Sequence, residues 1–510
     1  MRALISVSDK TNVCDFAKKL VKNGYEIIAT GGTMKLLKEN GINVINIEDV
    51  TGFPEICEGR VKTLHPKVHG ALLGRRDKES HMAELKENGI ELIDLVCVNL
   101  YPFKATIARP DVTEEMAIEN IDIGGPSMLR SAAKNFASVT VVCDPADYDT
   151  IISEIEENGN TTRETRFKLS AKAYTHTAEY DMMIATYMRE HAGLDEKLFI
   201  EGSLVQSLRY GENPHQRAKF YKLNDAPYSL ANARQLHGKE LSYNNIQDAN
   251  AALQIVSEFD EPFVVGLKHM NPCGAAVGKD VVEAWEKAYN ADTVSIFGGI
   301  VATNQVITEE VALLMKPIFL EVILAPKFTE EAQAVFAKKK NIRLIEVNME
   351  KNNEPQKHMV AVAGGLLVQD ADNYSTTKKI TADMTVTNRK PTDSELSDME
   401  FGWRICKHVK SNAIVVVKNG ATAGVGAGQM NRVGSAKLAI EEAHALGLTE
   451  GLVLASDGFF PFDDTVKYAA ENGVTAIVQP GGSVRDEDSV IAANDNNIAM
   501  LQTGMRHFKH

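Results

Sequence analysis

The chain has no excess of positive charge: 55 Lys and Arg stand against 69 Asp and Glu, a formal net charge of -14. Broad, sequence-independent binding to a phosphate backbone needs the opposite balance, so nucleic acid is not an expected partner. A small anion stays compatible, because single loops can be electropositive within an acidic protein. No apolar run is long enough to span a bilayer, and the opening MRALISVSDKTNV turns polar too soon for a secretory hydrophobic region. A cytoplasmic chain without a membrane partner is expected. The six cysteines, Cys14, Cys57, Cys97, Cys143, Cys273 and Cys406, are scattered and form no CxxC pair. That pattern fits reduced thiols better than a disulfide framework or a zinc ribbon.

Several familiar signatures are missing too. Gly278-Lys279 runs into Asp280 without the upstream glycine spacing, so there is no GxxxxGK[ST] phosphate loop. Gly424, Gly426 and Gly428 give GxGxG, but Gln429 breaks the dinucleotide fingerprint. His65 and His69 have metal-like spacing, yet Pro66 between them and the lack of a nearby acid argue against zinc. H-x-E and C-x-E do not occur, and Pro272-Cys273 leads to Ala276 in place of a second cysteine, so no zinc-deaminase signature is present.

What is present is a long globular α/β chain. At 510 residues, 44% hydrophobic and 24% charged, it implies two or three domains. Apolar runs at 3–7, 25–29, 92–98 and 139–143 read as buried strands, with amphipathic helices at 13–22 and 78–88 between them. This alternation predicts a parallel sheet with helices on both faces, whose ligands gather beyond the carboxyl ends of the strands. Two polar loops fall there, Ser6–Thr11 (SVSDKT) and Thr30-Gly31-Gly32-Thr33. Hydroxyls, one lysine and glycine-exposed backbone N–H groups at helix starts suit a phosphate. Gly59–Pro66 (GRVKTLHP) adds two cations, and Asn99–Phe103 (NLYPF) ends a strand with polar and aromatic groups. Asp122 precedes Gly124-Gly125-Pro126, where proline suits a first helical turn. On that helix Ser127, Arg130, Ser131 and Lys134 share a face, and periodicity alone puts Lys134 in solvent.

A charged helical stretch at 165–190 gives way to a broken pattern at 193–202, which marks a domain boundary near residue 200. Beyond it FVVGLKHMNPCGAAVG (263–278) echoes AIVVVKNGATAGVGAG (413–428): an apolar strand, a lysine, then a Gly/Ala-rich turn. The polar stretch 369–395 would join two such halves. Lys268-His269 brings a cation and a titratable imidazole to a strand end, suited to proton transfer and oxyanion stabilisation. For an isolated Lys-His pair a structural histidine is the commoner outcome. Arg209 lies in a dense polar loop, LRYGENPHQ, where its guanidinium suits a carboxylate or phosphate.

SVSDKT, TGGT, GRVKTLHP, NLYPF, IDIGG and AAKN resemble, in that order, the IMP cyclohydrolase half of bifunctional PurH-type enzymes. LRYGENPHQ, LKHMNPCGAAVG, FGGIVA, SNAIVV, GAGQMNRV, SDGFFPF and the terminal Met505–Phe508 resemble their AICAR transformylase half. The resemblance spans nearly the whole chain. It implies a methylglyoxal-synthase-like domain over 1–198 and two cytidine-deaminase-like α/β subdomains without zinc over 199–375 and 376–510. It further implies formyl transfer from 10-formyltetrahydrofolate to AICAR, then ring closure to IMP, in a homodimer, and it leaves a monovalent cation open.

By the same resemblance Lys62, Tyr101, Asp122 and Lys134 surround the cyclising centre, with Lys134 as acid/base. Ser8, Lys10, Thr30, Gly31, Gly32, Thr33, Arg60, Thr63 and Asn99 bind that nucleotide. For formyl transfer His269 is the proton acceptor, and Lys268 stabilises the oxyanion or assists the leaving nitrogen. Arg209, Tyr210, Gly298, Glu321, Asn412, Arg432, Phe459 and Arg506 match AICAR-binding positions, and Asp464, Ser483 and Val484 match folate-side positions. Two rivals remain: a methylglyoxal-synthase-like lyase fused to an unrelated domain, which leaves LKHMNPCG unexplained, and a purine-nucleotide sensor, which does not need these paired proton shuttles.

Overall fold

A computed structural model describes residues 1–351, 356–373 and 378–510, and the chain divides into two compact units, Met1–Glu201 and Gly202–His510. In the first unit β1 (Arg2–Val7), β2 (Glu26–Ala29), β3 (Val44–Asn46), β4 (Leu95–Asn99) and β5 (Thr140–Val142) form a parallel sheet of order β3-β2-β1-β4-β5. Successive residues of β1 and β4 are buried, the mark of a sheet covered on both faces. Leu4, Ile5, Val96 and Val98 lie in its core, joined by Phe16, whose ring stacks on Tyr148 at 4.1 Å. The chain leaves β1 toward β2 on one side and reaches β4 on the other. The carboxyl ends of β1 and β4 therefore flank the switch point where such sheets open a crevice.

The second unit begins with a separate hairpin, β6 (Ser203–Leu208) and β7 (Ala218–Lys222). Among the described residues its main sheet has eleven strands. One half holds β8 (Arg234–His237), β9 (Phe263–Lys268), β10 (Asn271–Val277), β11 (Gly299–Thr303), β12 (Leu320–Ala325) and β13 (Arg343–Glu346). A second separate hairpin, β14 (Lys357–Val362) and β15 (Gly365–Asp370), follows. The other half holds β16 (Ile414–Lys418), β17 (Ala421–Gly426), β18 (Leu452–Ser456), β19 (Val474–Gln479) and β20 (Ala499–Gln502). The order β20-β19-β18-β16-β17-β10-β9-β11-β12-β13-β8 is nearly a palindrome: each half puts its hairpin at the centre and three further strands outward, and β8 adds a fourth at the outer edge of the first half. The halves join where β10 pairs antiparallel with β17, at Ala276 and Ala421. The echo in the sequence is thus a repeat in the fold. The division expected at 375 and 376 lies outside the described residues.

Both hairpins are closed by two residues with positive φ, His269 (51°) and Met270 (62°) in the first and Asn419 (54°) and Gly420 (71°) in the second. Two-residue turns of this kind match the right-handed twist of the flanking strands. Ahead of each hairpin runs a helix opened by a capping box, Tyr243–Val256 after Ser242 and Asp393–Cys406 after Thr392. In the second box Glu395 also takes both arms of Arg389, at 2.9 and 2.8 Å, and the Thr475 hydroxyl at 2.7 Å. Burial pushes this carboxyl up, but Arg389, Thr392 and Thr475 outweigh it and hold the pKa at about 2. A carboxylate depressed in the folded state stabilises the fold above its ordinary value of 4.5 and loses that contribution as pH falls toward 2. Glu395→Gln is therefore expected to lower the urea midpoint at pH 7 and to flatten its fall between pH 4.5 and 2.5, readable by circular dichroism.

Candidate active sites

In the first unit the switch point opens into a cleft of about 610 Å³. Its floor comes from the loop after β1. Asn99, the last residue of β4, accepts the N–H groups of Ser8 and Asp9 on Oδ1, at 2.5 and 2.9 Å, and donates to the Asp9 carbonyl at 3.0 Å. This strand-to-loop clamp gives the SVSDKT segment its shape. The Lys10 ammonium turns back to the Val7 carbonyl and to Thr33 Oγ1, the latter at 3.0 Å. Burial lowers the Lys10 pKa, opposed by the Asp9 charge. Ser6 and Thr30 share a hydroxyl contact of 2.9 Å. Thr30 starts the helix Gly31–Glu39, whose first-turn N–H groups border the cleft beside Lys10. Gly31 sits at φ 43°, a conformation that disfavours a side chain, and a Cβ there would lie 4.0 Å from Lys62 Nζ. A lysine, hydroxyls and helix-start amides at one point form an anion site.

The opposite wall carries the titratable groups. Burial raises the Asp122 carboxyl, opposed by the Gly125 N–H, which it accepts at 2.8 Å, and by the Lys62 charge. Its backbone is fixed in turn, since the Asp122 N–H donates to Tyr180 Oη at 2.8 Å and that hydroxyl donates to the Asn120 carbonyl. A Cβ at Gly125 would stand 2.5 Å from Asp122 Oδ2, so only glycine lets the carboxylate fold over the helix start. Burial also raises the Tyr101 phenol, reinforced by Asp122 and Glu55, which keeps it a proton donor. Lys62 is half-buried, 3.8 Å from Glu55.

Of the residues expected in this unit, Ser8, Lys10, Thr30–Thr33, Arg60, Lys62, Thr63, Asn99, Tyr101 and Asp122 all line the cleft. Lys134 does not. It ends the helix Gly124–Lys134 that begins at the cleft, exposed and ten residues on, roughly 15 Å along the axis at about 1.5 Å per residue. Within the single chain it lies on the solvated face that periodicity gives. Arg60 lines the cleft paired with Glu119. Glu119 was hidden in sequence, because an acid on the short helix Glu114–Glu119 gives no sign of reaching a loop far upstream.

In the second unit strand directions collect the remaining candidates along one edge of the large sheet. The carboxyl ends of β9, β17, β18, β19 and β20 share that edge with the amino ends of β10, β11, β12 and β16. Lys268 ends β9 and donates to the Phe297 carbonyl at 2.9 Å, against Gly298. His269 is exposed at the turn and lines a hollow of about 280 Å³ with Glu212, Asn244, Gln247, Asp248, Met270 and Lys410. Glu321 accepts Asn245 Nδ2 at 2.7 Å. Arg209 packs over the Tyr210 ring at 4.9 Å in the loop that supplies Glu212.

Further along the edge Asn412 lines a second hollow, of about 140 Å³. Arg432 is buried with its guanidinium engaged: it pairs with Asp457, reaches Ser456 at 2.9 Å and donates to Asn412 Oδ1 at 2.8 Å. Here Arg432 shapes the Asn412 loop from behind. Phe459, Ser483, Val484 and Arg506 occupy the loops after β18, β19 and β20, and Asp464 opens the helix Asp464–Glu471 that follows the β18 loop; Asp464, Val484 and Arg506 are exposed. Asp248 and Lys410 were missed in sequence, since neither sits in a recognisable motif.

Among the described residues no group of three or more His, Cys, Asp or Glu is arranged to hold a metal ion, and no helix is long and apolar enough to cross a membrane. Residues 132–442 match the family described as AICARFT/IMPCHase bienzyme, and residues 12–127 match an MGS-like domain. The bifunctional purine biosynthesis protein PurH of Bacillus cytotoxicus is 56% identical over 515 residues, covering 100% of this chain and 99% of that one. Its counterpart in Bacillus cereus strain AH187 is 57% identical with the same coverage. A solved chain described as the crystal structure of ForH is 40% identical over 36% of this chain and 95% of its own, with a TM-score of 0.34, too low to argue a fold from.

Proposed function

Because the chain belongs to the AICARFT/IMPCHase bienzyme family, we infer from its geometry which residues serve each of the family's two reactions. The enzyme transfers a formyl group to AICAR and closes formyl-AICAR to IMP, the last two steps of purine-ring synthesis. We assign ring closure to the 610 Å³ cleft of the first unit, and the observation that carries this is the pairing of an anion site with Lys62, Tyr101 and Asp122 on the facing wall. The nucleotide phosphate sits at Ser8, Lys10 and the amides of Gly31–Thr33. The carboxamide nitrogen then attacks the formyl carbon, and a C–N bond forms as the formyl oxygen takes negative charge. Lys62 stabilises that oxyanion, Tyr101 protonates it, and Asp122 accepts the proton leaving the attacking nitrogen. Asp122 then returns that proton to the hydroxyl, the C–O bond breaks to release water, and the former formamide nitrogen forms the C=N bond and gives its proton back to Tyr101. The family resemblance assigns Lys134 an acid/base role as well, although within the single chain it does not line the cleft.

Formyl transfer belongs to the sheet edge of the second unit. The AICAR amine is a weak nucleophile, its lone pair delocalised into the ring, so deprotonation must accompany attack. His269 takes that proton. Lys268, its ammonium held beside Gly298, steadies the tetrahedral oxyanion or protonates the departing folate nitrogen. 10-Formyltetrahydrofolate is the donor. Residues 199–375 and 376–510 are read as paired cytidine-deaminase-like subdomains, a reading supported by the mirrored strand order, and residues 1–198 as the cyclohydrolase domain. The setting is cytoplasmic.

A homodimer is part of the same reading. The hairpin β14–β15 is exposed along both strands and offers Val360, Val362, Leu366 and Leu367 to its surroundings, with Leu367 61% exposed. A two-stranded hairpin is marginal in water alone, so an apolar one wants a partner surface. Light scattering after size exclusion should give twice the chain mass for the native protein and a lower value for Leu367→Asp. An unchanged mass in the variant would remove the hairpin from the interface.

The assay that tests the assignment mixes purified protein with AICAR and 10-formyltetrahydrofolate and follows tetrahydrofolate release and nucleotide products by chromatography. IMP formed in step with folate release supports both sites. Formyl-AICAR accumulating alone would remove the cleft from ring closure.

A further inference from the structure

We propose that Asp248 is a positioning residue for formyl transfer, its carboxylate holding the left-handed turn that presents His269. The proposal rests on the reading of His269 as proton acceptor. His269 and Met270 both sit at positive φ, where side chains crowd the backbone. Asp248 Oδ1 accepts the Met270 N–H at 2.8 Å and so closes the turn from beneath. The carboxylate is itself well anchored. It projects from the helix Tyr243–Val256, whose start is locked by reciprocal bonds between Ser242 and Asn245, and Asn245 also binds Glu321. Burial raises the Asp248 carboxyl, opposed by the Met270 N–H and by the charges of His269 and Lys268, and aided by Glu321.

The second half of the sheet repeats the arrangement with one difference. Asp398 accepts the N–H groups of Asn419 at 2.8 Å and Gly420 at 2.7 Å, from the matching place on the matching helix. The same interval separates Ser242 from Thr392, Asp248 from Asp398 and Lys268 from Lys418. There, however, the turn is Asn-Gly, the pair that adopts positive φ most readily. In the half that carries the imidazole, two large side chains occupy those positions, and the conformation depends more heavily on the carboxylate. An unheld turn would relax toward negative φ and swing the imidazole away from the Lys268 ammonium.

The test uses the full-length chain. Asp248→Ala is expected to lower kcat for formyl transfer by about 100-fold, the size of loss produced by misplacing a reacting group by about 1 Å. KM for AICAR should stay within about threefold, because the turn aligns reacting atoms and does not supply the main binding contacts. Asp248→Asn, which keeps an acceptor oxygen, should recover most of the rate and serves if the alanine variant does not fold. Met270→Gly lets the turn form unaided, so adding Asp248→Ala to it should cost at least about tenfold less than in the native chain.

A native kcat in Asp248→Ala beside an inactive His269→Asn overturns the proposal and leaves the His269 reading standing. Equal losses in the two backgrounds, or a folded but inactive Asp248→Asn, overturn the turn-holding role. An active His269→Asn overturns the underlying reading and the proposal with it.

Discussion

His269→Asn should lower formyl transfer by about 10²- to 10⁴-fold, the usual loss on removing a positioned proton acceptor, and leave cyclisation of added formyl-AICAR at its native rate. Asparagine is the informative replacement. It tolerates the left-handed conformation that His269 adopts, and Asn419 occupies the corresponding place in the repeat. The turn, the Lys268 bond to the Phe297 carbonyl and the hollow around Met270 should therefore survive while the imidazole is lost. Cyclisation provides the internal control because its cleft is built wholly within Met1–Glu201. Measured as tetrahydrofolate release at saturating AICAR, a rate within about twofold of native would remove His269 from proton transfer.

The complementary result is expected from Lys62→Gln. Ring closure should fall by about 10²- to 10³-fold, the range for losing one stabiliser of a developing oxyanion, so that formyl-AICAR accumulates while folate turnover continues. The side chain lies half-buried between Glu55 and Asp122, and its ammonium is the positive charge that lowers the buried Asp122 carboxyl. Glutamine keeps much of the length and hydrogen-bonding capacity but removes the charge. Two effects then combine: the oxyanion loses its counter-charge, and Asp122 loses an influence that favours its ionised form. Supplying formyl-AICAR directly isolates the step, and a native rate of IMP formation from it would remove Lys62 from catalysis.

The parallel sheet of the first unit is legible from composition and period, since each central strand is a short apolar run bounded by turn residues. Its third strand, Val44–Asn46, leaves no such trace, because Asn43 and Asn46 cut its apolar run to two residues. Loops at strand ends are legible as phosphate-binding because glycine, hydroxyl and lysine recur there. The groups that tune them are not: Glu119 and Tyr180 reach the cleft from elements distant in sequence, and nothing in their own neighbourhoods announces the contact. The two lysines assigned to ring closure separate the two kinds of reasoning. Motif resemblance draws Lys62 and Lys134 together, whereas helical rise carries Lys134 away from the cleft of its own chain. In the second unit the echo of 263–278 in 413–428 was visible because both copies keep the strand, lysine and turn. The carboxylates beneath those turns were not, since each lies a whole helix and loop upstream of the residue it supports.

The seam between β10 and β17 has a consequence for how the protein is made. β10 is complete once Val277 leaves the ribosome, yet its partner edge does not exist until Ala421 has been synthesised. At about 5–20 residues per second the nascent half-sheet spends roughly 7–30 s with an open strand edge. Many ribosomes on one message would hold such edges close together, where β10 of one chain meets the β10 or β17 of another. Slowing elongation between codons 278 and 421 should therefore lengthen that exposure and lower the soluble fraction without altering the enzyme that survives.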